Sequence, residues 1–163
     1  MDFIRLQNGD TDGIRTMSAL ASSIVREHFD PLIGTAQNDY MIARFQSEAA
    51  ITDQLTHGYR YFFLREAGEN LGFLAFYPRG GAMYLSKFYL KKEQRGKGLS
   101  HIMLDFVIEA ARREGLGSIE LNVNRHNSAC RAYDSLGFHI LREEKNDIGG
   151  GFFMDDYVYE LPL

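Results

Sequence analysis

Hydrophobic and polar positions change rhythm three times along the chain, and each change marks a different kind of element. Asp2–Leu6 alternates as a short strand, and Asn8-Gly9-Asp10-Thr11 supplies turn residues and a helix N-cap. Ile14, Met17, Leu20, Ala21, Ile24 and Val25 then recur at helical spacing. Pro31 and Gly34 are expected to end that helix, with two shorter ones over Asn38–Gln46 and from a Ser47 cap to His57. From Tyr59 the period shortens to two. Strands are predicted over Tyr59–Glu66, Leu71–Tyr77 and Ala82–Leu90, separated by Gly68-Glu69-Asn70 and Pro78-Arg79-Gly80-Gly81.

The helical period returns with Leu99, Ile102, Met103, Phe106, Val107 and Ala110 on one stripe, closed by Gly115 and Gly117. Ile119, Leu121 and Val123 alternate with polar residues as a further strand, and Asn127 or Ser128 caps a short helix that stops at Gly137. Phe138–Glu144 and Phe152–Leu161 form a closing pair of strands around a loop from Asn146 to Gly151. The predicted class is α+β: a mostly antiparallel, mixed sheet of about seven strands flanked by helices. One strand-helix-strand crossover runs from residue 82 to residue 123.

Composition adds bounds. A chain of 163 residues, 45% hydrophobic, fits one domain with a full core, and the expectation is a single domain over 1–163. A net charge of -4 argues against a nucleic-acid partner, whose binders carry a broad basic footprint. The one cysteine, Cys130, has no internal partner for a disulfide, and no Cys/His cluster has zinc spacing, so no metal is expected. No apolar run reaches the length of a membrane span and the N-terminus lacks a signal-peptide pattern, so the expected location is cytoplasmic, with no membrane partner.

The chemistry concentrates at Arg95-Gly96-Lys97-Gly98-Leu99-Ser100, where a strand gives way to a helix. Gly96 and Gly98 lack a Cβ, so the main chain can curl its N–H groups toward a ligand. The opening turn of the helix adds unpaired amides and the positive end of its dipole, a setting that suits phosphate. Arg95 and Lys97 add charge at the rim. The Walker pattern fails on spacing, and the dinucleotide fingerprint fails because His101 occupies its third glycine position. An isolated turn of this composition is more often a plain helix cap, so its context has to decide.

That context is Phe88-Tyr89-Leu90 before the turn and Tyr133-Asp134-Ser135-Leu136-Gly137-Phe138 after it. Together these resemble the GCN5-related N-acetyltransferases, the GNAT superfamily, from about Tyr59 to the C-terminus. The short N-terminal helices are similar to those of its polyamine-acetylating branch. The resemblance implies a V-shaped opening between the strand ending near Leu90 and that at Ile119–Val123, with acetyl-CoA as co-substrate. Its pyrophosphate would lie on Arg95–Ser100 and its pantetheine arm along the main chain of Phe88 and Leu90. Glu93 stands where the family usually has Gln or Arg, which removes one side-chain contribution and leaves the main-chain cradle. The family's pantetheine-binding Asn, often seven residues before the tyrosine, maps to His126 or, one residue on, to Asn127, which is the assignment taken here.

Acyl transfer to an amine needs a neutral nucleophile, a donor for the oxyanion and a proton for the departing thiolate. Tyr133 is the candidate for the last, since a phenol near pKa 10 can donate to a thiolate. By helical spacing alone it would be a core aromatic. A free N–H near Phe88–Leu90 is the oxyanion candidate, and no residue stands out as the base. Cys130 beside His126 is discounted as a nucleophile. Asp155, Asp156 and Tyr157, with Asp39, Tyr40, Phe45 and Glu48, would suit a cationic acceptor, either a small-molecule amine or a peptide. The alternative function is a non-catalytic acyl-CoA-binding or regulatory module, and a second is a nucleotide-binding protein using the turn for ATP. The closing strands, ending Leu161-Pro162-Leu163, are a candidate homodimer edge.

Overall fold

The structure is a computed structural model describing residues 1–163. Its seven strands are β1 (Asp2–Arg5), β2 (Arg60–Glu66), β3 (Glu69–Arg79), β4 (Ala82–Leu90), β5 (Ser118–Asn124), β6 (His139–Gly149) and β7 (Phe152–Pro162). Five helices accompany them: α1 (Thr11–Ile33), α2 (Thr35–Phe45), α3 (Glu48–Thr56), α4 (Leu99–Arg113) and α5 (Ala129–Ser135). The strands form the expected mostly antiparallel sheet of seven, and their order is β1-β2-β3-β4-β5-β7-β6. Its parallel pair is β4 with β5, joined by α4 in the expected crossover. No helix is long and apolar enough to cross a membrane.

The chain packs as two compact units, Met1–Tyr77 with Lys87–Met103, and Pro78–Ser86 with Leu104–Leu163. In the first, Ile14, Met17, Ala21 and Ile24 of α1 pack with Ile51 of α3 and with Tyr61, Phe63, Phe73 and Ala75 of the sheet. Gly72 is required by this packing: a Cβ there would collide with the Tyr89 carbonyl oxygen. In the second unit, Ile119, Leu121 and Val123 of β5 and Val158 and Tyr159 of β7 are all buried. Antiparallel pairing fixes β5 on β7 from Ser118↔Pro162 to Asn124↔Asp156.

Four local expectations change. Pro31 does not stop α1, which runs on to Ile33; so close to the C-terminus the ring removes one backbone bond, that to the Glu27 carbonyl, and Gly34 at φ 85° makes the break. The apolar stripe of α4 centres on Met103, Leu104, Val107 and Ala111, while Ile102 is 44% exposed. The expected loop at 146–151 is strand, because Asn146, Asp147 and Gly149 keep partners on β7 and the reversal is confined to left-handed Gly149, Gly150 and Gly151. Finally, β7 lies inside the sheet between β5 and β6, so the outer edge is β6 rather than the C-terminal strand.

Candidate active site: the glycine turn and a buried polar network

In the first unit, β4 hands the chain through a single 3-10 turn at Lys92–Gln94 to the glycine turn. Gly96 and Gly98 have φ of 78° and 79°, with nothing within 4 Å of where a Cβ would stand. Their glycine identity is therefore set by backbone conformation rather than crowding. Left-handed residues alternating with ordinary ones gather main-chain N–H groups into an anion-binding concavity. It leads directly into α4, whose first-turn amides have no acceptor within the helix. Leu99 is buried and holds the helix start, while Ser100 is half-buried.

Charge at the rim is differently disposed from expectation. Arg95 makes a two-pronged pair with Glu27 of α1, at 3.1 and 3.3 Å. Both side chains are more than a third exposed, so the pair is worth little in water and leaves the fork available to a more strongly charged partner. Lys97 Nζ lies 3.4 Å from Gln94 Oε1. Neither cation is buried.

Phe88 and Leu90 are half-buried on one face of β4, and Lys87 and Tyr89 occupy the other. Lys87 is a feature that alternation alone hides, since a strand position reading as polar is 5% exposed. Its Nζ donates to Phe45 O at 2.5 Å, Gln46 Oε1 at 2.9 Å and Gln54 Oε1 at 3.1 Å, and sits 5.1 Å from the Tyr61 ring centroid. Burial pulls its pKa down to about 7, although three acceptors favour the ammonium. Among the acceptor candidates in this unit, Asp39 is taken by Arg26 at 2.6 Å, and Tyr40 lies 3.4 Å from Arg44.

The second unit holds the remaining candidates. Tyr133 is half-buried on α5, its ring 5.6 Å from Phe138 and 6.0 Å from Tyr159. Asn127 is 7% exposed, and its Oδ1 accepts from Ala129 N at 2.9 Å, so it starts α5 where Ser128 makes no side-chain cap. His126 is exposed. Cys130 Sγ sits 3.6 Å from Asn124 O, and burial pushes its thiol up, the wrong direction for a nucleophile.

The parallel ladder between β4 and β5 covers only Ala82–Tyr84 with Ser118–Glu120. Beyond it the β4-facing edge of Leu121–Asn124 has no strand partner in register. At this point a polar network spans four strands, β4, β5, β7 and β6. Tyr84 Oη donates to Asn122 Oδ1 at 2.9 Å, and Asn122 Nδ2 reaches Asp156 Oδ2 at 3.3 Å and Glu144 Oε1 at 3.4 Å. Asp156 is 1% exposed. Burial lifts its pKa to about 6; the Asn122 bond opposes this and the Glu144 charge adds to it. Burial also pushes Glu144 up, but bonds from Arg142, Asn122 and Asn146 outweigh it and the net shift is downward.

The Asp155-Asp156 doublet is thus split between the two faces of β7. Asp155 pairs with Arg125 at 2.9 Å and stays half-exposed, whereas Asp156 is buried opposite Asn124 and Glu144.

Solved structures share the fold. The structure is similar to the PaiA N-acetyltransferase of Thermoplasma acidophilum in complex with coenzyme A, at TM-score 0.76 and 14% identity over 100% of both chains. A GCN5-related N-acetyltransferase from Rhodopseudomonas palustris gives TM-score 0.81 at 12% identity, covering 99% of this chain and 95% of that one. The ribosomal-protein-S18-alanine N-acetyltransferase of Escherichia coli gives 0.66 at 19%, covering 99% and 94%. No curated protein matches the sequence significantly. At such identities the structures speak for the fold, while the acetyltransferase (GNAT) domain family matches residues 33–153, most of the chain including the glycine turn, and the protein belongs to that family.

Proposed function

We propose that this protein transfers an acetyl group from acetyl-CoA to an amine of a small molecule or peptide, by direct attack in a ternary complex. The observation that carries the reading is the pair of left-handed glycines opening α4, in a chain of the acetyltransferase family. Main-chain amides from Arg95 to Ser100 take the diphosphate, with Arg95 and Lys97 at the rim. The main chain of Phe88 and Leu90 pairs with the pantetheine arm, and a main-chain N–H there receives the oxyanion. Asn127 contributes an amide to the same arm. Tyr133 gives its proton to the sulfur as the C–S bond breaks. None of these roles needs a metal.

A cationic acceptor is favoured by the carboxylates at Glu144 and Asp156, and polyamines are one class that fits. The whole of 1–163 is taken as the acetyltransferase domain, acting in the cytoplasm. Turnover of acetyl-CoA with spermidine, peptide N-termini and aminoglycosides is the direct test. In Tyr133→Phe, thiol release should fall by about 100-fold, within the usual range for loss of a general acid, with CoA affinity unchanged. CoA binding without turnover of any amine would instead identify a binding module. Tighter calorimetric binding of ATP than of CoA would defeat the reading.

A further inference from the structure

We propose that α2 and α3 form a proton-sensitive flap on the first unit, opening off β4 more readily when Lys87 is charged and closing as its amine becomes neutral. The inference concerns how the fold answers to pH and stands whether or not the chain acetylates an amine. Phe45 and Glu48, offered above to a cationic acceptor, ride on this flap.

Three observations carry it, all within the first unit. The first is what holds Lys87. Its ammonium donates to Phe45 O, Gln46 Oε1 and Gln54 Oε1, at 2.5, 2.9 and 3.1 Å. All three acceptors lie on one segment, from the end of α2 through α3. A movement of that segment therefore removes every acceptor at once and leaves the ammonium to water. The Tyr61 ring, 5.1 Å from Nζ, belongs to β2 and does not move with it.

The second is how the segment is attached. It runs between Gly34 and Gly58, both left-handed, with φ of 85° and 92° and open space beside each. Glycines so placed can absorb a change of backbone angle with no side chain to clash. Between them α2 buries Asn38 and Ile42 and α3 buries Ile51, so little apolar surface holds the pair down. Arg26 of α1 meets Asp39 of α2 at 2.6 Å, but both side chains are half-exposed and such pairs contribute little.

The third is what closure leaves unmet. Asn38 is fully buried; its Nδ2 donates to Val25 O and Asp30 Oδ1 of α1, at 3.2 and 2.6 Å, whereas its Oδ1 has no hydrogen-bond partner. Lys87 is 5% exposed, and its acceptors are all neutral. A buried acceptor without a donor and a buried cation without a counterion both favour water. Opening of α2 and α3 supplies it to each.

The sign follows from the two states of the lysine. Closed, Lys87 has its pKa drawn to about 7 by burial; open, it returns to the ordinary value near 10.4. Between about pH 7 and 10 closure therefore expels a proton, and each pH unit favours it about tenfold. Below pH 7 the ammonium persists in both states and closure no longer depends on pH. The groups facing Lys87 leave that window to it. Phe45, Gln46 and Gln54 of α2 and α3 do not titrate, nor does Ser18 of α1, which donates to Gln46 O. Tyr61 of β2 donates to Gln54, and burial keeps its hydroxyl protonated, with Tyr59 and Tyr89 adding to the effect.

The test is amide hydrogen exchange of the full chain from about pH 6 to 9. Protection of the α2 and α3 amides should be nearly level below pH 7 and then rise about tenfold per pH unit. In Lys87→Met the same amides should show no such rise. Gln46→Glu sets a carboxylate where a neutral oxygen now meets Nζ at 2.9 Å, which should lift the lysine toward its ordinary range and move the onset up by about one pH unit or more. A rise in Lys87→Met equal to that of wild type, or an onset unmoved in Gln46→Glu, overturns the dependence on Lys87. Amides of α2 and α3 as strongly protected as those of β2 and β3 would open only with the whole fold, and that result overturns the flap itself.

Discussion

Lys87 shows how far a single side chain can depart from its place in a pattern. Three carbonyl oxygens saturate its ammonium, yet no carboxylate joins them, and burial draws its pKa to about 7. The lysine of an unfolded chain titrates near 10.4, so between about pH 7 and 10 the unfolded state binds more protons. Stability therefore rises with pH across that window, and the cost of the buried charge is fully present below it. Comparing melting temperatures at pH 6 and 9.5 should show wild type gaining on Lys87→Met as pH rises; parallel curves would count against it. Asp156 has the opposite sign. Its pKa is raised to about 6, so its neutral form favours folding in acid and that contribution is lost as pH rises through 6. Asp156→Asn should consequently melt no lower than wild type at pH 7.5, measured by calorimetry.

Gly98 makes a residue-scale prediction of a different kind. Space beside it is open, so Gly98→Ala meets no neighbour and suffers only the left-handed backbone, about 1–2 kcal/mol. Because that strain falls on the turn, CoA affinity measured by calorimetry should drop about tenfold. Unchanged affinity would show that the turn does not bind the cofactor.

Among the elements, β3 and β4 come close at Gly72. A methyl there would strike the Tyr89 carbonyl, so Gly72→Ala should destabilise by about 1–3 kcal/mol, the usual cost of overpacking, in urea unfolding. The helices are governed by their ends. Ser47 caps α3 by accepting from Ala50 N at 3.1 Å, and Asp10 caps α1 by accepting from Gly13 N at 3.0 Å, both readable as N-cap letters. The short β4–β5 ladder has no such letters. The register pairs end at Tyr84↔Glu120, and no turn or cap residue in either strand marks that point.

At the scale of the whole molecule, ligand binding should register as stability. CoA at about 100 times its dissociation constant should add about 2.7 kcal/mol and raise the melting temperature by several degrees, with ATP at the same concentration doing less. An equal response to both would remove the cofactor assignment. The sheet order bears on assembly as well: β7 is paired on both sides, so any partner strand would have to meet an edge strand, β6 or β1.

The amino-acid sequence by itself determined the order of helices and strands, the crossover around α4 and the glycine turn. Each is written in short-range terms, as period, cap or left-handed glycine, that act within a few residues. Tertiary structure alone decided that Lys87 is buried, that Arg95 reaches Glu27 and that Asp155 and Asp156 part company. Those outcomes depend on residues 41, 68 and 30 positions apart in the chain meeting in space, as Lys87 meets Gln46, Arg95 meets Glu27 and Asp155 meets Arg125. Burial and counterion are properties of that meeting, and it is burial that lifts the Asp156 carboxyl above the ordinary range of an aspartate.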